Sequence, residues 1–236
     1  MSSSSTTNIT YDYQVALQQQ LAITFSGEFC IQGLVEGRRN VIAPRRFYAA
    51  TIEHKDPGFY PKSILIGDDI FTKALHTGIT YELYGHIINH LYQYPPMMIV
   101  DYQATPPEPT TRLPRPTCSK NIAVIATGII VRRFDREAYN DVILTVKHRD
   151  YDPGVAIVLI LLQTLEWVDF FAEYICGHKY NDKFDPNSLQ IGTTMRFEGH
   201  IKGFYESRNT WVFRVVSFRA ESKNAGHGTD GTKGEQ

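Results

Sequence analysis

Apolar and polar residues alternate along a ten-residue stretch that occurs twice in the chain. Residues 78–87 read GITYELYGHI and residues 192–201 read GTTMRFEGHI. Five positions are identical: Gly78/Gly192, Thr80/Thr194, Gly85/Gly199, His86/His200 and Ile87/Ile201. Tyr81, Leu83 and Ile87 fall in step with Met195, Phe197 and Ile201. Alternation with a period of two marks a half-buried strand. Two such strands this far apart point to a duplicated unit.

The same reading, taken along the chain, predicts the elements around each copy. Residues 1–10 read as a flexible tail and 11–21 as a short helix. A strand over 24–35 carries Gly33 as a bend. Residues 36–46 (EGRRNVIAPRR) form a polar connection. A second strand over 47–55 ends at Asp56-Pro57-Gly58, whose residues favour a turn. A third strand follows at 63–66, and apolar residues at helical spacing over 68–76 predict a helix. The repeated strand covers 80–88, residues 89–96 turn the chain, and a fifth strand covers 97–102. Residues 103–117 hold Pro106, Pro107, Pro109, Pro114 and Pro116, the composition of a semi-rigid spacer.

Beyond the spacer the order returns. A strand over 122–131 places Gly128 where the first copy has Gly33, and 132–140 (RRFDREAYN) is again a basic connection. Strands over 141–149 and 155–162 follow. His54-Lys55-Asp56 and His148-Arg149-Asp150 are read as bracing the turns after them. Residues 164–176 (TLEWVDFFAEYIC) predict a helix capped by Thr164, with Leu165, Val168, Phe171 and Ile175 on one face. That reading puts Trp167, Phe170 and Phe171 in a helix core. Residues 177–191 form an extra loop, a strand over 211–219 closes the unit, and the Gly-rich end reads as disordered.

Strand–strand–strand–helix–strand–strand, with a glycine in the first strand, resembles the OB-fold, a five-stranded Greek-key barrel. Two such units on one chain resemble the tandem OB-fold proteins that bind single-stranded nucleic acid, of the replication protein A kind. The expected fold is therefore mainly β, two tandem five-stranded OB-like β-barrels, each with one helix between strands 3 and 4. The expected division is a flexible segment 1–21, a first barrel 22–103, a Pro-rich linker 104–118, a second barrel 119–222 and a disordered tail 223–236.

Composition narrows the chemistry. The chain has 236 residues, 42% hydrophobic and 21% charged, as globular proteins do. Twenty-four Lys and Arg against 25 Asp and Glu give a formal net charge of -1, so a polyanion would need a local basic patch. No apolar run approaches the roughly 20 residues of a membrane helix. Residues 1–10 lack the basic start and apolar core of a secretory signal. Cys30, Cys118 and Cys176 are scattered and odd in number, which fits a reducing compartment, nucleus or cytoplasm, and no disulfide framework. Phosphate-loop, zinc-protease and nucleophile-elbow motifs are absent, as is any Cys/His zinc spacing. The expectation is a non-enzymatic protein without metal or cofactor.

The resemblance also says where a ligand would lie. In OB-folds the loops between strands 1 and 2 and between strands 4 and 5 flank the ligand face. Here the first loop carries Arg38, Arg39, Arg45 and Arg46, and its counterpart carries Arg132, Arg133, Phe134, Arg136 and Tyr139. The second loop carries Tyr92 and Tyr94, and its counterpart Phe204, Tyr205 and Arg208. A single strand needs cations along its backbone and aromatic faces under its bases. The partner expected is single-stranded DNA ahead of RNA. Loop arginines are more often simply solvated, and Glu36, Asp135, Glu137 and Glu206 dilute the patch. A second class stays open: a protein-interaction subunit of a larger assembly that uses the fold as scaffold.

Overall fold

The computed structural model describes residues 20–35, 45–52, 62–69, 73–89, 96–101, 122–151, 167–177 and 185–221. Period-two patterning decides almost everything in them. In β5 (Thr80–His86) Tyr81 and Leu83 are buried and Glu82 is exposed. In β10 (Thr194–Tyr205) Met195 and Phe197 are buried and Glu198 is exposed. In β8 (Asp141–Tyr151) Val142, Leu144, Val146 and His148 face inward, while the residues between them are half-buried. Each alternation puts one side of a strand into a core and leaves the other to solvent.

The second half closes on itself. β7 (Ala123–Arg136) pairs with β8, β8 with β9 (Trp167–Gly177), and β9 runs parallel to β11 (Thr210–Ala220). β11 pairs with β10, and β10 returns to the first half of β7. The result is a closed five-stranded barrel filled by Trp211, Tyr174, Phe170, Phe197 and Phe213. In the first half β1 (Ile23–Cys30) pairs with β5, and β5 pairs with β6 (Met97–Val100). β6 runs parallel to β4 (Lys62–Asp69), β4 pairs with β3 (Arg45–Ile52), and β3 pairs with the short β2 (Gly33–Leu34). β1 also pairs with β7, so one sheet runs through both halves.

Around the two copies of the ten-residue stretch, three backbone hydrogen bonds match. The Gly78 N–H donates to Ile31 O at 2.7 Å, and that of Gly192 to Ile130 O at 2.8 Å. The Ile31 N–H donates to Ile79 O at 3.0 Å, and that of Ile130 to Thr193 O at 3.1 Å. Ile87 donates to Ile23 O at 2.9 Å, and Ile201 to Ile122 O at 3.1 Å. Gly78 and Gly192 both take left-handed φ, 81° and 88°. This explains glycine at both, since a side chain there is strained. Gly85 and Gly199 have a different reason. A Cβ on either would fall far inside contact distance of a backbone carbonyl, that of Ile99 or of Arg214.

Several expectations are corrected. Among the described residues there is no α-helix. Residues 167–177 are strand β9, and residues 73–76 are irregular. TLEWVDFFAEYIC does carry apolar residues at helical spacing. However, Phe170, Ala172, Tyr174 and Cys176 also alternate with a period of two, and ladders to β8 and β11 favour the extended form. With β9 as the third strand, residues 178–193 connect strands 3 and 4. There the described part holds only a 3-10 turn, Pro186–Ser188. The third strand expected at 155–162, residues 11–19 of the helix expected at 11–21 and the Pro-rich segment 104–118 lie outside the described residues, and Leu21, at the end of that expected helix, forms a β-bridge with Arg149. Gly128, paired with Met195, is the counterpart of Phe29, paired with Tyr81, and not of Gly33. His148 does not brace a turn: its Nδ1–H donates to the carbonyls of Thr127 (2.9 Å) and Leu21 (3.1 Å).

Candidate nucleic-acid interface

The outward side of the second-half barrel can be read from its ladders, because residues paired across strands share a face. Arg132, Phe134 and Arg136 of β7 lie opposite Thr145, Ile143 and Asp141 of β8. Those in turn lie opposite Glu173, Ile175 and Gly177 of β9, and the next two rows are Lys147–Phe171 and Arg149–Asp169. β7 and β8 are joined through a 3-10 turn, Glu137–Tyr139, closed by Asn140 in left-handed conformation. β10 and β11 are joined by the same device, Glu206–Arg208 closed by Asn209. Asparagine tolerates that conformation better than most side chains, so both turns are tight.

Three large side chains on this surface stay in water: Phe134 at 65% exposure, Tyr139 at 71% and Phe171 at 47%. Burying each would contribute roughly 1.5–3 kcal/mol. Around them the cations are held in fixed positions. Arg136 donates to Asp141 through Nε (2.7 Å) and Nη2 (2.5 Å), and its guanidinium lies 4.7 Å over the Tyr139 ring. Arg208 pairs with Glu173 and lies 4.7 Å over Tyr205. The Asp141 hydrogen bond raises the Arg136 pKa against the cost of burial. Arg149 donates to Asp169 at 2.7 and 3.0 Å, and Lys147 stands 3.2 Å from the same carboxylate. Those bonds, Arg149's first, hold Asp169 below the usual carboxylate range. Arg132 is exposed and makes no ion pair with a described residue.

Of the residues singled out from sequence, Arg132, Phe134, Arg136, Tyr139, Tyr205 and Arg208 come together here. Two others have different work. Arg133 ties down the 3-10 turn before β10, donating to Pro186 O (2.6 Å) and Leu189 O (3.1 Å) as well as to Asp135. Phe204 is buried, edge-on to Trp211 with ring centroids 5.2 Å apart. Arg45 and Arg46 open β3 instead of lying in a loop, and Arg46 pairs with buried Asp68 at 2.9 Å. Arg38, Arg39, Tyr92 and Tyr94 lie outside the described residues. Lys147, Arg149 and Phe171 were not singled out for the site. Reading 167–177 with a period of two would have turned Phe171 outward, opposite buried Phe170.

Among the described residues no cluster of His, Cys, Asp and Glu is arranged to hold a metal ion, and no helix is long and apolar enough to cross a membrane. No protein-family model and no curated protein matches the sequence. Among solved structures, the wild-type single-stranded DNA binding protein from Thermus aquaticus is similar at 7% identity. Its TM-score is 0.48, over 89% of this chain and 96% of that one. A deletion mutant of the same protein is similar at 8% identity with a TM-score of 0.47, over 86% and 95%. Likeness at that level says nothing of which residues meet a ligand.

Proposed function

We propose that the chain is a non-enzymatic single-stranded nucleic-acid-binding protein, DNA ahead of RNA, built on two OB-like barrels. The second-half ring supports the fold directly. The first half repeats its pairings in the same order. Bonds from Gln32 N to Ala49 O (2.9 Å) and Val35 N to Phe47 O (2.8 Å) carry the first strand across to β3. The observation that carries the function is the exposed trio Phe134, Tyr139 and Phe171, set among Arg132, Lys147 and Arg149 on the face and loop where such a barrel takes its ligand. The pairs that Lys147 and Arg149 make with Asp169 are exposed and worth about 0–1 kcal/mol, so phosphates can take those two cations over.

The same pairs favour a second reading. Arg136, Lys147, Arg149 and Arg208 each have a carboxylate partner, which leaves the face nearly neutral, as suits a protein-interaction subunit. Anisotropy of labelled single-stranded DNA, single-stranded RNA and duplex at two salt concentrations separates the two. The nucleic-acid reading expects salt-sensitive binding of single strands in preference to duplex. Absence of such binding at micromolar protein favours the interaction subunit.

A further inference from the structure

The backbone correspondences match each outward-facing residue of one half to a residue of the other. Gly33 lies opposite Ala49 as Arg132 lies opposite Thr145, with Ile31 and Ile130 as fixed counterparts just before them. Along the ladders, Phe47, Ala49 and Thr51 are therefore the counterparts of Ile143, Thr145 and Lys147. Ser63, Leu65 and Gly67 are the counterparts of Phe171, Glu173 and Ile175. Met97 and Ile99 correspond to Val212 and Arg214. The match is checked independently, because the clash of a Cβ on Gly85 with Ile99 O is repeated by Gly199 with Arg214 O.

The two faces so matched differ in kind. In the second half the face carries Lys147, Glu173 and Arg214, with Phe134 and Phe171 in water. In the first half the same positions carry no charge. Phe47 is 5% exposed, and Leu65, Met97 and Ile99 are each 4% exposed. Phe47 and Met97 lie over Gly67, beside the aliphatic part of Arg45. Among its described residues, a strand of nucleic acid laid on that face would find no exposed ring to stack on, and its one cation, Arg45, lies at the edge opposite Asp69.

We infer that the two halves divide the work: the ligand strand lies on the second half alone, and the first half's matching face is closed to it. This rests on the nucleic-acid reading and narrows it to one barrel's footprint, on the order of 4–16 nucleotides. Phe171 and Lys147 then belong to the binding face, whereas Ser63 and Thr51, in the same places on the first half, do not.

Two measurements on the full chain test the inference. Affinity for oligo-dT of 6, 12, 16, 32 and 48 nucleotides should rise to about 16 and gain less than about tenfold beyond it. A strand bridging two barrels would gain by linkage on the order of 10²-fold or more, and such a gain overturns the inference while leaving the reading intact. In parallel, Phe171→Asp should weaken dT16 binding at least tenfold, with Ser63→Asp within twofold of wild type. Both positions are exposed, and circular dichroism checks that both variants fold. A Ser63→Asp loss equal to that of Phe171→Asp would place the strand on the first half as well. If wild type binds none of these oligonucleotides, the nucleic-acid reading itself fails.

Discussion

Phe25 of β1 and Val124 of β7 sit opposite one another across the ladder that joins the halves, and each is the other's counterpart. Phe25 pairs with Gly85 as Val124 pairs with Gly199. On either side of this pair, Thr24 meets Ile125 and Ser26 meets Ala123, so the register reads the same in both directions. The two first strands therefore join antiparallel about a local pseudo-two-fold axis. Other contacts reinforce the joint: His86 Nδ1 to Asp150 Oδ2 (2.9 Å), Gln20 Nε2 to Asp150 Oδ1 (2.8 Å), and Asn89 to the carbonyl of Asn209.

That joint should outlast a cut backbone. With a protease site placed in residues 103–117 and cleaved, the fragments should co-elute on gel filtration in native buffer. Elution as two separate species would show that the ladder does not hold the halves together.

Glycines should divide by what a Cβ would meet. Gly199→Ala pushes a methyl into Arg214 O and should cost at least the roughly 1–3 kcal/mol of overpacking. Gly192→Ala, at φ 88°, should cost about 1–2 kcal/mol through strain alone. At Gly33 nothing lies within 4 Å and φ is not positive, so Gly33→Ala should be close to neutral in urea unfolding. Equal midpoints for all three would contradict this account.

Two histidines should shape the pH dependence in opposite senses. His148 is buried, its Nδ1–H donates to two carbonyls, and its Nε2 accepts the Tyr174 hydroxyl at 3.0 Å, an arrangement only the neutral ring can make. Burial lowers its pKa to about 4. As pH falls below about 6.5 the unfolded chain gains a proton that the folded one refuses, and stability should drop by roughly 3 kcal/mol by pH 4. His86 is the reverse case. The bond to Asp150 raises its pKa, so its contribution is complete below about 6.5 and is lost as pH rises through the folded value. His148→Gln should flatten the acid limb, and His86→Gln the limb above pH 6.5. Unfolding curves that keep both limbs in both variants would refute the assignments.

Arg132 and Arg133 are neighbours with different duties. Arg133→Ala breaks the bonds to Pro186 and Leu189 and should lower Tm. Arg132→Ala should leave Tm unchanged and make the log–log salt slope of binding shallower by up to about 0.7. A drop in Tm for Arg132→Ala, or none for Arg133→Ala, would reverse the roles.

The strands were legible in the sequence wherever alternation alone decided the structure, as in GITYELYGHI and its copy. β9 was not, because Leu165, Val168, Phe171 and Ile175 satisfy helical spacing while Phe170, Ala172, Tyr174 and Cys176 satisfy strand spacing. The deciding bonds come from β8 and β11, distant in sequence. That one error turned Phe171 inward and hid it from the site. The bond between Arg208 and Glu173 joins residues 35 apart, so local charge patterning could not show which carboxylate restrains which cation.

The central claim, that bases stack on the exposed rings of the second half, is tested most directly by dT16 affinity in wild type and in Phe134→Ala and Phe171→Ala. Each ring that carries a base should cost about 1–3 kcal/mol when removed, roughly 5- to 150-fold in Kd, with the salt slope nearly unchanged. Unaltered affinity in both variants, both folded by circular dichroism, would contradict the account.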